Sequence, residues 1–377
     1  MKVLLIPDKF KGSLTAKQVV KAIQTGLQNA VPRVEVHAVL ASDGGDGFLN
    51  AISQSKRCTV QNIETLNPLG KHISADYLLD TAQKSAYIEL AKTSGLELLQ
   101  EEERNAMDTS TFGTGLQIKH AISSGVTTVY IGLGGSATND GAMGIANALG
   151  YDFLDKKGNV LKPIGRNLSK IAFIKRNETY NLCEGVAFFA VNDVNNPLYG
   201  EDGAAYTYAR QKGASESEIH ELDLGLRHFD KVCRAHSAMD CANLPGAGAA
   251  GGAAYGLKMF FNAEFISGID FVLRLSNVEQ LLTQQRFDYI ITGEGKFDSQ
   301  TLNGKLMKGV VDLGAQYSIP VIAICGESKI DSDEAKKFGL HEVLQLLDDT
   351  MDVSYAIANA EVLMERTIFN FFSNEKV

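Results

Sequence analysis

The chain has 377 residues, 45% of them apolar and 21% charged, with a formal net charge of −9 and 36 glycines. That length predicts two or three domains of roughly 150 residues each, and the composition is ordinary for a globular chain with a full core. The negative charge argues against nucleic acid or an anionic membrane as the main partner. It leaves room for an anionic small substrate, because a local cationic pocket disappears in the total.

Lys2–Ile6 reads as a buried strand ended by Pro7, and its apolar run is too short for a signal segment or a bilayer span. Thr15-Ala-Lys-Gln18 fits a capping box, after which Val19, Val20, Ile23 and Leu27 mark one helical face until Pro32. Val34–Leu40 is a second strand. Cys58–Thr65, Ser74–Leu79 and Ala86–Leu90 are separated by turn signals at Asn67-Pro68-Leu69-Gly70 and Asp80–Lys84. Connections that short predict antiparallel hairpins. Apolar runs at Val126–Ile131 and Val186–Val191 follow. Tyr289–Thr292, Val321–Cys325 and Val343–Leu347 close the series with helical segments between, the pattern of a parallel sheet wound on both faces. The expectation is an α/β protein of two domains. Residues 1–60 and 260–377 form a discontinuous parallel-sheet domain, and residues 61–259 an inserted α/β domain with antiparallel strands. The cysteines (Cys58, Cys183, Cys233, Cys241, Cys325) are scattered and show no CxxC or Cys/His spacing, which points to a reduced, cytoplasmic chain without structural zinc.

Six loops carry the chemistry-bearing residues. "PDKFKGS" (Pro7 to Ser13) puts Asp8, Lys9 and Lys11 between a strand and a capped helix, where anions are favoured; a solvated turn is the competing explanation. "SDGGDG" (Ser42 to Gly47) offers Asp43 and Asp46 for a cation or a hydroxyl, or is a plain tight turn. "GLGGSATNDG" (Gly132 to Gly141) follows a strand and is expected to open a helix, the layout that binds phosphate on backbone N–H groups. A rival reading takes Gly132, Gly134, Ala137 and Asp152 as a dinucleotide fingerprint. "PGAGAAGGAAYG" (Pro245 to Gly256) contains a formal GxGxxG without a preceding strand, so close backbone packing explains it about as well as a ligand does. "ITGEGKFDSQTLNGK" (Ile291 to Lys305) ends like a Walker A loop, yet Leu306 replaces its Ser or Thr and Ser299 its opening glycine; Glu294, Lys296 and Asp298 are expected just past a strand end. "VNDVNNPLYG" places Asp193 after the run Val186–Val191, as a base or simply a cap. An anion site mixing cations with several carboxylates is what phosphoryl transfer requires.

These six segments also resemble, in order and across nearly the whole chain, the motifs of the bacterial glycerate kinases that phosphorylate the 2-hydroxyl. Lys9 stands where that family commonly has Ser, and Phe48 where it commonly has Thr. The resemblance implies transfer of the ATP γ-phosphoryl group to D-glycerate, giving 2-phosphoglycerate with magnesium (Mg2+) as cofactor. It further implies a two-domain fold, one part flavodoxin-like, with the active site in the cleft between them. Residue roles rest on chemistry instead. Asp193 is the expected general base and Lys11 a catalytic cation; Asp8, Lys9 and Ser13 would hold the substrate. Gly134, Gly135, Ser136 and Thr138 would hold the nucleotide phosphates, and Asp43, Glu294 and Asp298 the metal. Phosphorylation of the 3-hydroxyl, an NAD-dependent dehydrogenase and a non-catalytic nucleotide sensor are the alternatives; whether the chain forms a homodimer is left open.

Overall fold

The computed structural model describes residues 1–10, 12–40, 45, 47–297, 305–348 and 351–374. Its strands, in chain order, are β1 (Lys2–Pro7), β2 (Glu35–Ala38), β3 (Thr59–Leu66), β4 (His72–Asp80), β5 (Ser85–Glu89), β6 (Thr128–Gly132) and β7 (Tyr151–Leu154). They continue with β8 (Phe173–Arg176), β9 (Ala187–Val191), β10 (Glu264–Ile266), β11 (Tyr289–Phe297), β12 (Val321–Ser328) and β13 (Glu342–Gln345). The chain divides into two compact units, one of Met1–Ser42 with Gly268–Val377 and the other of Asp43–Ser267.

The first unit is built on a five-stranded sheet of order β13-β12-β11-β1-β2, parallel throughout. Numbered within the unit, that is 2-1-3-4-5, the flavodoxin-like order. The run that reads as a buried strand in the sequence is the sheet's middle: Val3, Leu4, Leu5 and Ile6 are fully buried, so both faces of β1 are covered. On one face Val3, Leu5, Ile291, Ile322 and Ile324 pack with Val19, Ile23 and Leu27 of helix Ala16–Ala30 and with Leu363, Ile368 and Phe372 of helix Ala360–Asn374. The first helix starts where the sequence places it. Thr15 Oγ1 accepts the Gln18 N–H, and the Gln18 side chain accepts the Thr15 N–H at 2.9 Å, a complete capping box.

The second unit carries a six-stranded sheet of order β10-β9-β6-β5-β4-β3 and a two-stranded sheet of β7 and β8. The β3–β4 and β4–β5 pairs are antiparallel, as the short connections require; β5, β6, β9 and β10 run parallel. At the β3–β4 turn Asn67 Oδ1 accepts the Leu69 and Lys71 N–H groups, and Gly70 takes φ +82°. Ile88, Val129, Ile131, Phe188 and Ala190 form the apolar face against helices Phe112–Ser123 and Ala249–Phe261. No helix among the described residues is long and apolar enough to cross a membrane.

Helices Ala16–Ala30 and Ala360–Asn374 approach closely at Gly26, which has no side chain of its own to hold them apart. A Cβ there would lie 2.6 Å from the Glu365 carbonyl oxygen and 2.9 Å from Ile368 Cβ. Gly26→Ala therefore forces the helices apart and is expected to cost about 1–3 kcal/mol. A thermal melt with an unchanged midpoint for this variant would show that the helix pair yields freely.

Candidate active site

In the second unit, the register of the parallel strands decides what can meet. Glu89 at the end of β5 pairs with Gly132 at the end of β6, and Gly132 pairs with Val191 at the end of β9. The Leu133 N–H donates to the Val191 carbonyl at 3.0 Å. The glycine loop after β6 and the segment carrying Asp193 thus leave the sheet side by side, at the carboxyl ends where open α/β sheets bind ligands. Asp193 is half-buried, two residues beyond β9. Gly45, from the "SDGGDG" segment, reaches the same place: a Cβ on Gly134 would lie 2.1 Å from Gly45 Cα. Glu89, only 1% exposed, accepts the Leu49 N–H at 3.2 Å and so anchors helix Phe48–Ser55 behind that segment.

The loop itself is a backbone cradle. Gly135 is exposed with φ +65°. The Leu96 N–H donates to its carbonyl at 2.8 Å, and the Ala137 N–H donates to the Ser94 carbonyl at 2.9 Å, so the loop is tied down on both sides. Between those ties the N–H groups of Gly134, Gly135 and Ser136 donate to no acceptor among the described residues. Successive free N–H groups at a strand end form an anion-binding concavity. The sequence-based expectation of a helix opening at this loop is corrected: the next helix is Met143–Ala148, so Asn139 and Asp140 precede it. Without a helix directly after the turn, the dinucleotide fingerprint loses its geometry, and Asp152 lies in β7 beside Asn177 Nδ2.

Behind the cradle sit two buried ionisable groups. Lys212 is 2% exposed, and its Nζ donates to Ser136 Oγ and to the Thr138 carbonyl, both at 2.8 Å. Burial pulls this ammonium down from the usual lysine range to about 7, while the negative charge of Asp140 acts the other way. Asp140 is fully buried; burial pushes its carboxyl up, against hydrogen bonds from the Thr111 N–H and Oγ1 (2.8 Å each) and the Gly144 N–H (3.1 Å). It joins the starts of helices Phe112–Ser123 and Met143–Ala148. Thr138 Oγ1 and both amide atoms of Asn139 are buried with no hydrogen-bond partner among the described residues.

The "PGAGAAGGAAYG" segment is explained by packing. A Cβ on Gly251 would lie 2.1 Å from the Thr138 carbonyl oxygen, one on Gly248 2.3 Å from that of Pro197, and one on Gly256 2.1 Å from that of Gly141. Ala250, Gly251 and Gly252 all take left-handed φ values inside helix Ala249–Phe261. The segment is a wedge that props the glycine loop from behind.

In the first unit, β1 ends opposite Gly293 of β11. The Asp8 N–H donates to the Gly293 carbonyl at 2.8 Å, and Asp8 Oδ1 accepts the Lys9 N–H at 2.7 Å. Asp8, Lys9 and Ser13 are half-buried around a tight turn in which Phe10 bridges to Leu14. Glu294 needs correcting: it stands inside β11, which runs on to Phe297, rather than in a loop after it. The extension follows from pairing with β12, where Glu294 is opposite Cys325. Burial pushes the Cys325 thiol up to about 12, with the charge of Glu294 adding to the effect. Lys11, Asp43 and Asp298 lie outside the described residues. No group of three or more His, Cys, Asp or Glu side chains among the described residues could hold a metal ion.

Known proteins resemble this chain in sequence and fold. The sequence profile of the Glycerate kinase family matches residues 3–374. The chain belongs to the glycerate kinase family. Among curated members, the glycerate kinase of Halalkalibacterium halodurans is 36% identical over 98% of this chain and 96% of its own length. The glycerate 2-kinase of Escherichia coli is 36% identical over 94% of this chain and 93% of its own. A Salmonella typhimurium crystal structure assigned as glycerate kinase 2 superposes with a TM-score of 0.84 at 34% identity, covering 100% of this chain and 98% of that one.

For this member of the family, sequence reasoning passed over Lys212, Asp140, Asn139 and Glu89. Glu89 left a signal, a lone acid inside the apolar run Ala86–Leu90. Lys212 left none, because Lys-Gly after a helical stretch reads as an ordinary helix end. Gly134→Ala tests the cradle: the added methyl displaces the Gly45 backbone, and shifts of about 1 Å near reacting groups can cost about 100-fold. A large rise in KM for ATP is expected, with KM for glycerate near wild type and a lower melting temperature because the Gly45 backbone must move; steady-state kinetics and a thermal melt measure these.

Proposed function

We propose that the protein transfers the γ-phosphoryl group of ATP to the 2-hydroxyl of D-glycerate, giving 2-phosphoglycerate and ADP. The observation that carries this reading is the set of three free N–H groups at Gly134, Gly135 and Ser136, with the Lys212 ammonium behind them and Asp193 at the neighbouring strand end. The name of the Escherichia coli relative, glycerate 2-kinase, supports the 2-position.

In this reading the two units are the two domains, and each has its own part. Gly134, Gly135, Ser136 and Thr138 receive the nucleotide phosphates on backbone N–H groups, which suit a dispersed anionic charge. Lys9 and Ser13, with Lys11, receive the glycerate carboxylate, and Asp8 accepts a hydroxyl of the same substrate; the helix start at Ala16 adds its positive dipole end. Asp193 takes the proton of the attacking hydroxyl, the role that a carboxylate fills in kinases. Magnesium fits the oxygen donors available, because it takes one or two carboxylates together with substrate phosphates and needs no cage of protein ligands. Half-buried Glu294, with Asp43 and Asp298, is proposed to hold it. When bound, the ion neutralises charge on the transferring phosphoryl group. A cytoplasmic location, argued from the scattered cysteines, and small-molecule partners rather than nucleic acid or membrane, argued from the net charge of −9, belong to the same reading.

Coupled ADP-release assays should show turnover with D-glycerate and not with L-glycerate, abolished by excess EDTA, and phosphorus NMR should identify 2-phosphoglycerate. Equal use of both enantiomers, or a 3-phosphorylated product, overturns the assignment. Asp193→Asn keeps the shape and removes the charge. As the base it should lower kcat by roughly 100- to 10,000-fold with glycerate affinity little changed. A lower melting temperature with normal kcat would make it a turn residue only.

A further inference from the structure

Lys212 is a costly residue to keep where it is. It ends a single turn of 3-10 helix, Arg210–Lys212, and is almost wholly buried. Its root cannot drift, since the next residue, Gly213, takes φ +86° and a Cβ there would lie 2.1 Å from the Arg104 carbonyl oxygen. Burying an ammonium costs several kcal/mol, and apolar residues of similar volume often serve stability as well or better. A methionine would fill this space without that cost, so packing alone does not account for the cation.

What the ammonium does is grip the glycine loop at two points, Ser136 Oγ and the Thr138 carbonyl, two residues apart. Those points flank the Ala137 N–H, which is itself tied to Ser94, so the downstream half of the loop is pinned from both sides. The upstream half is held by backbone contacts, Gly134 against Gly45 and the Gly135 carbonyl by the Leu96 N–H, and Lys212 adds a side-chain hold at the downstream end.

We infer that Lys212 is a positioning residue for phosphoryl transfer: by holding Ser136 and Thr138 from the buried side, it keeps the Gly134–Ser136 backbone in the shape that receives the nucleotide phosphates. This rests on the reading of that loop as the phosphate cradle. Lys212 does not itself touch the substrates. Without it the loop relaxes, and the nucleotide term suffers while the acceptor term does not.

The test uses the full chain carrying Lys212→Met, which keeps the volume and removes the donors, beside Lys212→Gln, which keeps one. Steady-state KM for ATP, KM for D-glycerate, kcat and the melting temperature are measured on each. KM for ATP should rise at least about tenfold in the Met variant, as expected when the backbone donors are displaced. The Gln variant should recover part of that rise, with KM for glycerate and the melting temperature near wild type in both. Unchanged KM for ATP, or both KM values rising equally as the melting temperature falls, overturns the inference. If the Met variant does not fold, the Gln variant decides by the same criterion. Gly134→Ala separates the two ways of failing. If that variant raises KM for ATP and the Lys212 variants do not, only the positioning role falls. If it raises KM for glycerate instead, the cradle reading falls and takes this inference with it.

Discussion

The second unit depends on backbone meeting backbone without a side chain between. Gly134 lies against Gly45, Gly251 against Thr138, Gly256 against Gly141 and Gly248 against Pro197, each so close that a methyl group would overlap main-chain atoms. A glycine in such a place loses more conformational freedom on folding than any other residue. The return is a surface where main-chain N–H groups, rather than side chains, face outward. Phosphate groups are well matched to such a surface because several donors share one dispersed charge and none has to be deprotonated or reoriented.

The same closeness explains the buried charges. With the loop pressed between neighbouring segments, Asp140 and Lys212 are almost entirely removed from water. Each is handled differently. Asp140 receives three hydrogen bonds on Oδ2 at the start of two helices, while its Oδ1 is buried with no hydrogen-bond partner among the described residues; the bonds join elements and offset only part of the burial cost. Lys212 has one hydroxyl and one carbonyl as acceptors, and it retains a proton less readily than a surface lysine. The difference separates a tie between two helix starts from a side chain bonded to the glycine loop itself.

The first unit solves its problem with ordinary means. A fully buried parallel strand, an apolar helix pair held by Gly26, and a capped helix start bring Asp8, Lys9 and Ser13 to one sheet end next to Gly293. Its side chains, rather than its backbone, carry the polarity at that end. The two units therefore offer different surfaces: one of backbone donors, the other of charged and hydroxyl side chains.

Much of this was legible in the residue order. Local chemistry determines a buried strand at Val3–Ile6, a capping box at Thr15–Gln18, hairpins around Asn67 and Asp80, and glycine loops at strand ends, because each depends on residues within a few positions of one another. The parallel and antiparallel halves follow from connection lengths alone. The family likeness, too, lies in motif order. What tertiary structure decided was everything set by register and contact across the chain. Glu294 joined a strand because β12 was there to pair with it, and the turn after Gly132 stayed non-helical because Ser94 and Leu96 claimed its polar groups. Lys212 became part of the loop although 76 residues separate it from Ser136. No local pattern encodes such a contact, since a buried lysine and a surface lysine are the same letter until packing removes the water from one of them.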